Sequence, residues 1–170
     1  WVTKRWPVGH FKALTELIVQ ELPGYYVSIL GSRDDFELGE QIVKASPESC
    51  LNLAGKLNLQ EMVEWIRQSE LMVSNDTGPM HVAAALGKTV IAIFGPTNSG
   101  RTGPYGQVEL VLRHNLDCAP CMKKRCFHNK PMECMEAISP QVVFSAIKDR
   151  LGLSSKRSVE DLPGTASRLH

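Results

Sequence analysis

The stretch from Leu71 to Phe94 constrains this chain more than any other. Leu71 to Ser74 and Thr89 to Phe94 are two short apolar, branched runs of the kind that form strands. Between them lie Asn75-Asp76-Thr77-Gly78-Pro79-Met80-His81 and an Ala-rich segment, Val82 to Leu86, that reads as a helix. The second run is nearly continuous in apolar residues, as a strand covered on both faces should be. A strand, a turn, a short helix and another strand with such short joints predict a parallel α/β sheet.

The rest of the chain repeats the alternation. Phe11, Leu14, Ile18 and Leu22 recur at helical spacing until Pro23-Gly24, and Tyr25 to Leu30 is a strand candidate ending at Gly31. A helix is expected from about Asp34 to Ala45, and a short strand over Leu51 to Leu53 before Ala54-Gly55. Asn58 with Glu61 forms a capping box for a helix bearing Leu59, Met62 and Ile66. Val108 to Leu112 predicts a further strand, and Ser139-Pro140 the start of a last helix with Val143, Ile147 and Leu151. The expected fold is therefore α/β, a doubly wound, mostly parallel sheet. At 170 residues and 43% hydrophobic, the chain can build one core. Residues 1–151 read as one domain, and 152–170, where periodicity is lost, as a flexible tail. The start at Trp1, inside what reads as a motif, is what a piece of a longer protein would show.

Charge excludes some partners. Nineteen Lys and Arg against eighteen Asp and Glu give a net charge of +1, which supplies no field for nonspecific nucleic-acid binding. Basic residues cluster at Lys123-Lys124-Arg125 and Lys156-Arg157, as solvated surface commonly does. No apolar run approaches the roughly 20 residues needed to cross a bilayer, and no secretory leader is visible.

The joint at 75–81 is the clearest site. Asp76 or Thr77 can cap the helix, Gly78 carries no Cβ, and Pro79 sits where no N–H is needed. The helix start thus offers free N–H donors at the carboxyl end of a sheet strand, where open α/β sheets bind anionic ligands. The same features would equally make a plain helix start. His81 would stand in the first turn, either beside the anion or bonded to a carbonyl. Asp76 next to a phosphate would be costly, so helix capping or a hydroxyl contact suits it better. Phe94-Gly95-Pro96-Thr97 is a second Gly-containing joint at the same sheet edge, and two such loops make a crevice. Neither matches the nucleoside-triphosphate loop or G-x-G-x-x-G.

Five cysteines are present. Cys50 beside a strand suits a small buried apolar residue. Cys118, Cys121, Cys126 and Cys134 form C-x2-C-x4-C-x7-C within the loop 118–134. They could hold a structural zinc ion, form two disulfides, or pack as reduced thiols. A zinc-stabilised nucleic-acid module built on them is disfavoured by the near-neutral charge and the lack of interleaved aromatics.

Taken together, K-R-W-P at 4–7, L-G-S at 30–32, N-L-A-G at 52–55, N-D-T-G-P-M-H-V-A-A-A-L at 75–86, F-G-P-T at 94–97 and I-S-P-Q-V-V at 138–143 resemble glycosyltransferase family 9, the bacterial heptosyltransferases. The resemblance implies a GT-B fold of two Rossmann-like lobes, of which this chain matches the C-terminal, donor-binding lobe. It implies an ADP-heptose donor and inverting transfer to the lipopolysaccharide inner core. The acceptor and the general base would lie with the N-terminal lobe, so no catalytic residue is assigned here. It also implies that Lys4 meets the donor diphosphate and that Asp76, Thr77 and Gly78 lie at the diphosphate and sugar, with His81 nearby. Asp35 would meet the adenosine ribose and Leu57 the adenine pocket. A cytoplasmic enzyme, at the inner-membrane face through peripheral association, is implied as well, with no nucleic-acid partner. The alternative is a non-catalytic nucleotide- or anion-binding module without its partner lobe.

Overall fold

The computed structural model describes residues 1–44 and 46–153. From Ser154 onward the expected tail lies outside the described residues, as does Ala45, the expected helix end.

Helix α1 (Val8–Glu21) opens the domain, and β1 (Val27–Ile29) follows. Then come α2 (Phe36–Val43), β2 (Cys50–Asn52), α3 (Leu59–Gln68) and β3 (Leu71–Asn75). Helix α4 (Gly78–Ala85) leads to β4 (Thr89–Phe94), the short α5 (Ser99–Thr102) and β5 (Val111–Arg113). Helices α6 (Glu133–Glu136) and α7 (Pro140–Arg150) close the described chain. Among the described residues all strand pairing is parallel: β1 with β2, and β3–β4–β5 in that order. The expected alternation holds, although the ladders form two sheets, of two and three strands.

Strand β4 explains the architecture. Ile91 and Ile93 face one core with Trp6, Leu14, Leu22, Met135, Ile138, Val143, Phe144 and Ile147. Val90, Ala92 and Phe94 face a second core with Ile66, Met80 and Ala83. Five consecutive residues, Val90 to Phe94, are at most 1% exposed. A period-two strand with apolar residues at both parities has no solvent face, so helices must cover it on both sides. That is a doubly wound arrangement.

Local signals place the element ends. Asn58 accepts from the Glu61 amide at 3.0 Å while Glu61 accepts from the Asn58 amide at 2.8 Å, the reciprocal cap expected for α3. Ser139 accepts from the Val142 amide at 3.3 Å and starts α7. The helix expected from Asp34 begins as a 3-10 turn, Arg33–Asp35, because Asp35 folds back on Ser32. The strand expected over 108–112 starts only at Val111. Before it, Val108–Leu110 is a 3-10 turn, and the Gln107 side chain accepts from the Val90 amide and donates to the Lys88 carbonyl, both at 2.8 Å. A side chain thus takes the place of a strand backbone beside the start of β4.

Candidate functional site

The site lies where β3 runs into α4. Thr77 occupies the N-cap position without a side-chain cap bond; its hydroxyl instead lies 3.1 Å from the Ser74 hydroxyl. Gly78 and Pro79 begin the helix, so the Gly78 and Met80 amides have no partner within it. A Cβ built on Gly78 would meet no other part of the protein within 4 Å, so the space beside this glycine is open. Thr77, Gly78 and His81 are exposed around it.

Asp76 does not cap the helix. Its carboxylate is only 6% exposed and pairs with the Lys4 ammonium at 2.7 Å. The Thr102 hydroxyl approaches the same oxygen at 3.4 Å. Of the two caps expected, Asp76 or Thr77, the position belongs to Thr77, and the buried Asp76 carboxylate takes a counter-charge instead. The pair carries Lys4 to the α4 end.

Trp6 fixes the segment that carries Lys4. Its ring is 1% exposed, its indole N–H donates to the Ile138 carbonyl at 2.8 Å, and its amide donates to the Asn75 side chain at 3.0 Å. Edge-on contacts with Phe11 and His10 complete the packing. The basic start of the chain is thereby fastened to the residue immediately before Asp76.

Asp35 lies after β1 and is engaged on both oxygens. One accepts from the Ser32 hydroxyl at 2.6 Å and the Ser32 amide at 3.0 Å, and the other pairs with Arg5 at 2.9 Å. The Ser32 hydroxyl, then its amide and the Arg5 guanidinium, hold this carboxyl below its usual range against a partial burial that raises it. Arg5 as the partner of Asp35 was not legible, since the two are far apart in sequence. Leu57 is half-buried in the loop after β2. That loop is tied to the one after β1 by the Gly55 amide donating to the Gly31 carbonyl at 3.0 Å. Gly55 has φ +70, and a Cβ there would come within 2.7 Å of Arg33 Cα.

The second Gly-containing joint differs from its expectation. It does lie at the same edge, because β3 and β4 are parallel neighbours. A Cβ on Gly95, however, would stand 2.8 Å from Cys134 Sγ, so this glycine admits α6 rather than a ligand. Thr97 behind it carries a buried hydroxyl without a partner among the described residues.

The four clustered cysteines line one small cavity of about 20 Å³, together with Thr3, Pro96 and His128 among others. That is close to the space of a single water. All five thiols are free. Among the described residues no three His, Cys, Asp or Glu side chains are disposed to hold one metal ion, so of the three alternatives for Cys118, Cys121, Cys126 and Cys134 the zinc site does not fit. Burial, then the charges of the neighbouring thiols, push Cys134 up, and burial pushes up Cys50 in β2. The amides of Met132 and His128 bring Cys126 down.

The family model described as glycosyltransferase family 9 (heptosyltransferase) matches residues 1–131. The chain belongs to that family. The lipooligosaccharide heptosyltransferase 2 of Haemophilus influenzae is 41% identical over 114 residues, 65% of this chain and 32% of that protein. The lipopolysaccharide heptosyltransferase 2 of Escherichia coli K12 is 38% identical over the same shares. The solved structure of E. coli ADP-heptose lps heptosyltransferase II superposes with a TM-score of 0.72 at 31% identity, covering 88% of this chain and 42% of that one. The family's fold is therefore shared, and the chain spans about a third to two-fifths of the length of these relatives. Among the described residues, no helix is long and apolar enough to cross a membrane.

Proposed function

We propose that this chain is the donor-binding part of an inverting heptosyltransferase, which moves heptose from an ADP-heptose to the inner core of lipopolysaccharide. The observation that carries it is the placing of Lys4 by buried Asp76 at the open N-terminus of α4. A departing diphosphate gains charge as the glycosidic bond breaks, and a lysine with free helix amides stabilises that charge where it grows. Lys4 acts as a point charge, while the Gly78 and Met80 amides orient the diphosphate. Thr77 and His81, exposed on the same turn, face the diphosphate and sugar. Asp35, with one oxygen in an exchangeable pair with Arg5, takes the ribose hydroxyls, and Leu57 borders the adenine.

The similarity to a protein solved as ADP-heptose lps heptosyltransferase II supports the choice of donor. No residue of this chain takes the part of general base, and the cleft needs a second wall to orient the acceptor and exclude water. The acceptor, the base and work at the cytoplasmic face of the inner membrane belong to the enzyme as a whole. A transfer assay from ADP-heptose to a lipopolysaccharide core acceptor tests this reading. The 170-residue chain alone should give no turnover, and Lys4→Met in the two-lobed enzyme should lower kcat about a hundredfold. Full turnover by Lys4→Met, or by the isolated chain, contradicts it.

A further inference from the structure

The loop that follows β5 concentrates charge that the rest of the chain balances. Residues 114–130 hold four Lys and Arg against one Asp, in a chain whose net charge is +1. Lys123, Lys124 and Arg125 are consecutive and exposed, and none has an ion-pair partner among the described residues. The nearby Glu133 is already shared by His128 and Lys130. Apolar side chains flank the three cations: Met122 is 45% exposed and Phe127 78%. Lys123 lies over the Phe127 ring, 5.5 Å from its centre.

The loop is held in place beside the candidate site. The Thr3 hydroxyl donates to the Lys123 carbonyl at 3.0 Å, one residue from Lys4. The Met122 amide donates to the Pro96 carbonyl at 2.7 Å, just past the end of β4. Both anchors are near the groups that carry the donor reading, so the basic triad stands next to the donor end of the sheet.

We infer that Lys123, Lys124 and Arg125, with Met122 and Phe127, form a docking surface for an anionic phospholipid bilayer. Three unpaired cations side by side are attracted to a negatively charged headgroup layer, at about 1 kcal/mol for each near the surface. The exposed Met122 and Phe127 on either side of them are what the headgroup–acyl boundary accepts and what a water-borne anion would leave in solvent. The inference rests on the functional reading above, because a lipid-linked acceptor obliges its transferase to work at a membrane surface.

The test is co-sedimentation of the 170-residue chain with vesicles of phosphatidylglycerol mixed into phosphatidylcholine, against phosphatidylcholine alone. The chain should bind only the anionic vesicles, and added salt should weaken binding. Lys123→Gln/Lys124→Gln/Arg125→Gln should lower the partition coefficient by about a hundredfold, near fivefold per charge. Phe127→Ser should lower it several-fold and leave the salt dependence unchanged. Equal binding to neutral vesicles, no binding by the chain, or an unchanged triple variant overturns the proposal. Binding to single-stranded RNA without binding to vesicles overturns it in favour of a nucleic-acid surface. ADP titration of the same preparations keeps the two readings apart. The triple variant should bind ADP as the parent does, and loss of ADP binding with vesicle binding intact strikes only the donor reading.

Discussion

Lys4 and Asp76, far apart in sequence, meet at 2.7 Å with the carboxylate buried and the lysine side chain one-quarter exposed. The contact couples the basic start of the chain to the α4 turn. It gives Asp76 a partner that its place before a helix did not suggest.

Breaking the pair from one side should therefore cost stability as well as function. Lys4→Met leaves a buried carboxylate without its counter-charge, and unfolding in urea should show a loss of about 1–3 kcal/mol. Lys4→Met/Asp76→Asn should recover most of that loss, because the amide carries no charge to balance. The double variant should still bind ADP weakly. Additive losses in the two single variants would show that the contact is incidental.

Asp35 makes a pH prediction. Its carboxyl lies below the ordinary value of about 3.9, chiefly through the Ser32 hydroxyl. A group whose pKa is depressed on folding contributes stability that is fully present above the unfolded value. That contribution is lost as pH falls through the lower folded value. Asp35→Asn should lower stability at neutral pH, and its difference from the parent should shrink as pH falls below about 4, which flattens the acid limb of the profile. With a side chain about one-third exposed, the effect should stay under about 1 kcal/mol. An acid limb identical to the parent's would remove Asp35 from the account.

The cysteines should differ in reactivity. Amides of Met132 and His128 stabilise the Cys126 thiolate, whereas burial and neighbouring thiols oppose ionisation of Cys134. Limited alkylation near pH 7 followed by peptide mass spectrometry should find Cys126 modified first and Cys134 late. The reverse order would show that access, not thiolate formation, governs the cluster.

What the sequence made legible was local or periodic. The two-sided burial of β4 was written in its unbroken apolar run, and the α3 and α7 starts in Asn58–Glu61 and Ser139–Pro140. The turn at Gly78 was legible as an open helix start for the same reason. Pairings between distant residues were not. Nothing near Lys4 says that its partner is Asp76, and nothing near Arg5 points to Asp35. Gly95 shows the limit most clearly: a glycine before a proline at a sheet edge reads the same whether it leaves room for a ligand or for Cys134 and Met135. The Cys spacing left an ion site, disulfides and reduced thiols open, because spacing alone does not say whether thiols aim at one point; here they line a cavity and are not disposed to hold an ion.

The donor site itself is tested most directly by calorimetric titration of ADP into the 170-residue chain and into Gly78→Ala. An added Cβ at Gly78 meets nothing within 4 Å beyond its chain neighbours and its own helix backbone, and alanine is a better helix former, so the fold should be unharmed or stabilised by up to about 1 kcal/mol. If the diphosphate sits over the helix end, that methyl occupies its place. The account predicts saturable, one-site ADP binding by the parent chain and binding at least tenfold weaker in Gly78→Ala. ADP affinity unchanged by Gly78→Ala, or no ADP binding by the parent, would contradict it and leave the turn as a helix start alone.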